Sequence, residues 1–412
     1  MTIDSFPDHA PSPFYSATAD VLEIGGEPVT KLAERIGRTP FYVYDRSVIS
    51  RQIAALRGAF PAEVELHFAV KANPMPELVK YIAPLVDGLD VASAGELATA
   101  LGAEPRGGRI SFAGPGKTMT ELAQAITAGI VINLESAREL RDVAELAAAR
   151  GVRPTVAVRV NPDFELKSSG MKMAGGPKQF GVDAEAVPQL LRQMASLPVE
   201  FVGFHIFCGS QNLRPSAIVE SQQKAVELAI QLAEHAPTPV RLLNVGGGLG
   251  IPYFPGEQRI DLRLIGEELG SRVARVHGAL PGAKLVLEMG RYLVGEAGIY
   301  VCRVIERKVS RGNVFLVTDG GLHHHLAASG NFGQVLRKNY PVLVANRVRG
   351  TSREVCSVVG PLCTPLDLLA DRMEMARAEE GDLVAVFMSG AYGLTASPLG
   401  FLSHPPPAEV IV

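Results

Sequence analysis

Tryptophan is absent from the 412 residues, and only four cysteines occur. We attach no meaning to the first absence. Cys208, Cys302, Cys356 and Cys363 are too few and too scattered for a disulfide scaffold or a Cys-rich zinc site. A reduced, cytoplasmic protein is therefore expected. No apolar run reaches the roughly 18 uninterrupted residues of a membrane-spanning helix. Residues 1–16 carry acids and prolines instead of the basic start and apolar stretch of a signal peptide. Charge of one sign is lacking too: 40 basic against 43 acidic residues give a net −3, which argues against nucleic-acid binding by electrostatics. There is no internal repeat, and Pro405-Pro406-Pro407 is the sole low-complexity tract. With 47% apolar residues the composition is globular.

What is present is an alternation. Short β-branched runs occupy 64–70, 88–92, 109–113, 129–134, 155–160, 201–207, 242–245 and 284–287. Between them lie Ala-, Leu- and Glu-rich stretches such as 94–101, 120–128, 137–150 and 217–236, with apolar residues at helical spacing. Strand and helix in alternation predict a parallel sheet with crossover helices, and a count of eight favours a closed (β/α)8 TIM-like barrel. After about residue 290 the texture changes. Segments 300–307, 313–318, 353–359 and 383–388 read as strands, with turns at Arg311-Gly312 and Glu380-Gly381. We expect a barrel over 46–290, a mainly antiparallel β domain over 291–412, and an N-terminal segment, 1–45, that joins the latter.

In such barrels reactive groups sit at the carboxyl ends of the strands. The first strand ends in Phe68-Ala69-Val70-Lys71-Ala72-Asn73-Pro74. Lys71 is either a desolvated amine, hence a nucleophile towards a carbonyl, or a lysine reaching for solvent. The seventh strand ends in Gly246-Gly247-Gly248, whose backbone N–H groups suit a phosphate, although tight turns also use glycine. The eighth ends in Glu288-Met289-Gly290-Arg291: either an acid for a pyridinium N–H beside an anion site, or an ion pair at the rim. An amine, a phosphate cradle and a buried acid together match the needs of pyridoxal 5′-phosphate.

These motifs resemble those of the alanine-racemase-like (fold type III) pyridoxal enzymes, specifically the diaminopimelate/ornithine decarboxylase family. The resemblance spans Pro40-Phe41-Tyr42 to Ala408-Glu409-Val410. It also rests on Leu89-Asp90-Val91-Ala92-Ser93-Ala94-Gly95-Glu96, Gly360-Pro361-Leu362-Cys363 and Gly390-Ala391-Tyr392-Gly393. It implies a homodimer with shared active sites. Lys71 would carry the Schiff base and Glu288 would meet the pyridine nitrogen. Ser210, Gly246, Gly247, Gly248, Gly290, Arg291 and Tyr392 would surround the phosphate. Asp90, Glu96 and Arg159 would support lysine and ring, and Cys363 of the partner subunit would protonate the carbanion after CO2 leaves. The bland reading of Cys363 is an apolar thiol.

Three departures bear on substrate. Thr364 follows the cysteine where the family carries an acid for a distal ammonium. That loss costs such a substrate a few kcal/mol, roughly a hundredfold in binding. Phe207 stands where a histidine stacks on the ring; His205 matches a different family histidine, or simply packs at a strand end. Gly320-Gly321-Leu322-His323-His324-His325 replaces the family's usual turn. Adjacent side chains on extended backbone point apart, so no metal site is expected there. His324 is assigned instead to the substrate, with Arg337, Thr364, Arg291 and Tyr392.

These features, with Gly114-Pro115-Gly116-Lys117, 168–173, Lys178-Gln179-Phe180-Gly181 and Ser403-His404-Pro405, resemble one subgroup most. It includes a decarboxylase of a carrier-tethered glutamyl group and relatives at exosortase or exopolysaccharide loci. The expected activity is thus α-decarboxylation of an L-amino acid without a free distal amine, a small molecule or an acyl-carrier-bound one. Diaminopimelate decarboxylation, racemisation and a silent cofactor carrier are the alternatives. Neither nucleic acid nor membrane is an expected partner.

Overall fold

Eight parallel strands close into a barrel in the computed structural model, which describes residues 8–104, 109–164, 171–172 and 175–412. In chain order they are Val64–Ala69, Gly88–Val91, Ile110–Phe112, Val131–Leu134, Thr155–Asn161, Glu200–His205, Leu242–Gly247 and Lys284–Met289. Each pairs with the next in sequence, the fourth with the fifth, and the eighth returns to the first. A two-residue strand, Val182–Asp183, pairs parallel alongside the end of the fifth. The crossover helices begin where side-chain oxygens can take up free backbone N–H groups. Ser93 accepts from Glu96 N, Ser136 from Glu139 N, and Thr118 with Glu121 forms a reciprocal capping box.

Alternate strand residues face the barrel interior. That row is mixed here: Glu65 and His67, Ser111, Asn133, Asn244 and Lys284 line one internal space together with Val131, Leu242 and Val286. Barrels of this type usually fill the interior with branched apolar side chains.

The chain divides into two compact units, and the barrel unit comprises Gln52–Gly250 and Ile260–Gly290. The second unit takes the residues up to Arg51, Ile251–Arg259 and Arg291–Val412. Its sheet runs Val342–Val344, Leu383–Val386, Gly298–Ser310, Asn313–Thr318, Arg353–Val359, Leu368–Ala376. Phe41–Tyr44 joins Gly298–Ser310 antiparallel, and Ala408–Ile411 lies parallel to it. Two of its features are absent from the sequence reading. Ile251–Arg259 belongs to this unit because Tyr253 and Phe254 pack on Tyr340, with Tyr253 and Tyr340 centroids 4.8 Å apart. Leu368–Ala376 is a strand whose alternation breaks at Asp371 and at Arg372, the latter with φ +46°. Among the described residues no helix is long and apolar enough to cross a membrane.

Candidate active site

The first strand ends at Ala69 and a single 3-10 turn, Val70–Ala72, follows. Val70 and Ala72 are buried and Lys71 between them is exposed. Its Nζ stands 5.6 Å from the Phe207 ring centroid, within cation–π range. Phe207 in turn packs against Gly246, where a Cβ would come within 2.6 Å of the ring.

The sixth and eighth strands bring His205 beside Glu288. Nε2 lies 3.0 Å from Glu288 Oε1, both side chains at most 5% exposed. Asn244 of the seventh strand donates Nδ2 to the same oxygen at 3.0 Å and accepts from Gly246 N at 2.8 Å. Burial opposes ionisation of Glu288. The His205 imidazole outweighs it, helped by the charges of Lys71 and Arg159, and holds the carboxyl below its ordinary range. Both His205 ring nitrogens are buried without a hydrogen-bond partner, so its contact with Glu288 is an ion-pair distance.

The glycine turn is compact because its neighbours are backbone. A Cβ on Gly247 would lie 1.8 Å from the Glu288 carbonyl oxygen, and one on Gly248 2.4 Å from that of Gly209. Gly246 and Gly248 also have φ of +70° and +79°. Ser210 follows Gly209 in a two-residue strand. A Cβ on Gly290 would meet Ala72 Cβ at 3.1 Å. An amine over an aromatic face, an ionised buried carboxylate and a turn free of side chains fit pyridoxal phosphate.

Around this centre, Asp90 is buried at the end of the second strand and accepts from Ser111 Oγ. Glu96 accepts from Ala92 N at 2.8 Å; burial raises its pKa, against that bond and the Lys71 charge. Arg159 Nη1 donates to Glu135 at 2.8 Å, and its guanidinium lies 5.1 Å from the Phe180 ring. Sequence reasoning missed Glu135 and His67. Polar residues at inward strand positions were the available signal.

In the second unit Arg291 Nη1 donates to Tyr253 OH at 2.8 Å, and its guanidinium sits 4.7 Å from the Tyr392 ring. Cys363 is exposed in a turn pinned by Asp367, which accepts from Leu322 N at 2.6 Å and Leu362 N at 2.8 Å. Thr364 Oγ1 accepts from Leu366 N at 3.3 Å. Two substrate assignments meet a different geometry. His324 is 1% exposed, and its nitrogens are taken by the Pro405 carbonyl (3.0 Å) and Tyr300 OH (3.3 Å). The Arg337 Nη atoms hold the Ser329 and Leu368 carbonyls at 3.0 and 3.1 Å. His323, His324 and His325 are all buried. Burial first, with neighbouring histidines for the first two, lowers their pKa values to about 3, 4 and 3. Among the described residues no group of three or more His, Cys, Asp or Glu could hold a metal ion. Most of the motif 168–173 lies outside the described residues.

The barrel and these strand ends define a cofactor-dependent enzyme of the aldehyde-binding type. The family profile described as "Pyridoxal-dependent decarboxylase, pyridoxal binding domain" matches residues 46–295. An L-glutamyl-(BtrI acyl-carrier protein) decarboxylase of Niallia circulans is 38% identical over 93% of this chain and 90% of its own. A diaminopimelate decarboxylase of Aquifex aeolicus is 33% identical over 97% of this chain and 93% of its own. The structure of the M. jannaschii diaminopimelate decarboxylase with L-lysine superposes with a TM-score of 0.88, at 27% identity, covering 97% of this chain and 93% of that one. The chain belongs to the pyridoxal-dependent decarboxylase family. It is a carboxy-lyase acting on amino acids, and its cofactor is pyridoxal 5′-phosphate.

Proposed function

We propose that this enzyme decarboxylates an L-amino-acid unit whose far end carries no free amine, free or attached to an acyl carrier. The observation that carries this reading is Thr364, an uncharged residue directly after Cys363. A hydroxyl there, already accepting from Leu366 N, offers no counter-charge to an ammonium. The Niallia relative acts on a carrier-bound glutamyl group. A Staphylococcus aureus relative, 28% identical, is named for a substrate whose alanin-3-yl group bears a carbamoyl. Both names describe amino acids without a free distal amine.

Bound pyridoxal phosphate supplies an electron-poor ring that takes up the pair released as CO2 departs. Lys71 would offer the amine that tethers the cofactor aldehyde. Glu288, held ionised beside His205, would keep a proton on the ring nitrogen. Gly246, Gly247, Gly248 and Ser210 would receive the phosphate, and Phe207 would offer an aromatic face to the ring. Asp90 and Arg159, fixed by Ser111 and Glu135, set the charge around the amine. The enzyme works as a cytoplasmic homodimer, and Cys363 of the partner subunit delivers the proton to Cα.

The test is CO2 release from free diaminopimelate, ornithine and arginine against a glutamyl thioester of an acyl carrier. Turnover confined to the thioester is expected. Robust turnover of free diaminopimelate would sink the masked-substrate reading and favour diaminopimelate decarboxylation, which several relatives at about a third identity perform.

A further inference from the structure

A cavity of about 430 Å³ opens inside the barrel from the amino ends of its strands, the end opposite Lys71. Glu65, His67, Arg109, Asn133, Asn244 and Lys284 are among its walls. Its outer charges serve one another. Lys284 Nζ donates to Glu65, and the Arg109 guanidinium donates to the Asp87 and Val86 carbonyls and to Glu104 at 2.8 Å. Among the described residues the charges at its mouth are thus paired, and a space of this size with polar groups in its walls suits water.

His67 is the deep wall of that chamber. Its Nδ1 lies 3.4 Å from Asp90 Oδ1 and its Nε2 3.7 Å from Glu65 Oε2. The first contact is within hydrogen-bond reach and the second is an ion-pair distance, so the ring lies between two carboxylates and an imidazolium there is attracted by both. The place for the ring is encoded in the next strand. A Cβ on Gly88 would come within 2.6 Å of His67 Cε1 and Nε2. Asp90 needs the charge: it is 6% exposed, and its Oδ2 has no hydrogen-bond partner. In the strand register Asp90 stands opposite Ala69, two residues before Lys71. Among the described residues the charged groups around this ring are Glu65 on its own strand, Asp90 on the second, and on the eighth Glu288, its register partner, and Lys284, with Arg109 and Asp87 further along the cavity.

We propose that His67 is a positioning residue: a buried imidazolium, reached by water from the amino-end cavity, that sets a positive charge against Asp90 beside the turn bearing Lys71. Its effect on the cofactor rests on the decarboxylase reading; its charge state does not. Burial works against the charged ring, yet Asp90 and Glu65 outweigh it and raise its pKa to about 10. Glu65 falls to about 2, chiefly through the neighbouring His67.

The charge is read on the cofactor-free, full-length chain by NMR of ring-labelled histidine. One of the nine histidines is expected to stay doubly protonated at about pH 8.5, two units above the ordinary histidine pKa. Asp90→Asn should lower its midpoint by a unit or more. Nine neutral rings at that pH, or a protonated ring indifferent to Asp90→Asn, overturn the proposal. The effect on the site is read on His67→Gln loaded with pyridoxal phosphate. Removing a positive charge from the neighbourhood of the Lys71 turn favours protonation there, so the acid edge of the visible cofactor band moves up by about one pH unit. An unmoved edge refutes the link to the site. Should His67→Gln not fold, the histidine NMR decides alone. Should even the unsubstituted chain fail to bind pyridoxal phosphate, the decarboxylase reading falls while the charge measurement still stands.

Discussion

Arg159 donates Nη1 to Glu135 Oε1 across 2.8 Å, with side chains only 9% and 2% exposed. The second Glu135 oxygen accepts from Gly181 N at 3.1 Å, so one carboxylate fixes both the guanidinium and the loop that carries Phe180 beneath it. Removing one partner of a buried pair strands the other charge, at about 3–5 kcal/mol. Glu135→Ala should lose stability on that scale in urea unfolding and retain less pyridoxal phosphate after gel filtration.

A second buried pair lies one strand away. Lys117 Nζ donates to Glu139 at 3.1 Å and to the Gly114 and Asn133 carbonyls at 2.8 and 2.7 Å, both side chains 1% exposed. Lys117→Met should destabilise by about 3–5 kcal/mol. The double variant with Glu139→Gln should lose less than the two singles added, because it leaves no uncompensated charge. Urea midpoints of the three variants decide it.

Lys71 and Cys363 should separate cofactor binding from proton delivery. Lys71→Ala is expected to abolish the visible absorbance of the bound cofactor together with CO2 release. Cys363→Ala should keep the band while kcat falls by roughly 10²–10⁴, the range for a lost general acid. Cys363 is exposed, so its variant should melt with the unsubstituted protein.

The Glu65–His67 contact sets a pH window for stability. His67 has a pKa of about 10 in the fold against 6.5 ordinarily, so its contribution is complete below about 6.5 and fades as pH rises through 10. Glu65 sits at about 2 against 4.5, so its share is present above about 4.5 and fades as pH falls through 2. Urea midpoints of the unsubstituted protein and His67→Gln should differ most between those limits and converge towards pH 10.

Gly247→Ala should disrupt the seam between the seventh and eighth strands. Its Cβ would meet the Glu288 carbonyl at 1.8 Å, and Gly247 pairs with Glu288 in the register. Backbone cannot swing aside as a side chain can. Loss of cofactor binding and a lowered melting temperature are the expected readings, by absorbance and circular dichroism.

The barrel was legible because each strand is a β-branched run and each helix a 3.6-residue pattern, both local properties. Lys71, Glu288 and the glycine turn were legible because they end those runs, where barrels display reactive groups. The strand Leu368–Ala376 was not, since Asp371 and Arg372 interrupt its alternation. Nor was the use of His324 and Arg337, whose partners at Pro405 and Leu368 are tens of residues distant.

The order of strands and helices, the amine at position 71 and the thiol at 363 were therefore set by the amino-acid sequence alone, because spacing and residue type carry them. Folding decided which charges meet. Glu135 reached Arg159, Asp367 reached Leu322 and Leu362, and His67 came between Glu65 and Asp90. Electrostatic energy depends on separation in space and on burial, and neither can be counted along a chain.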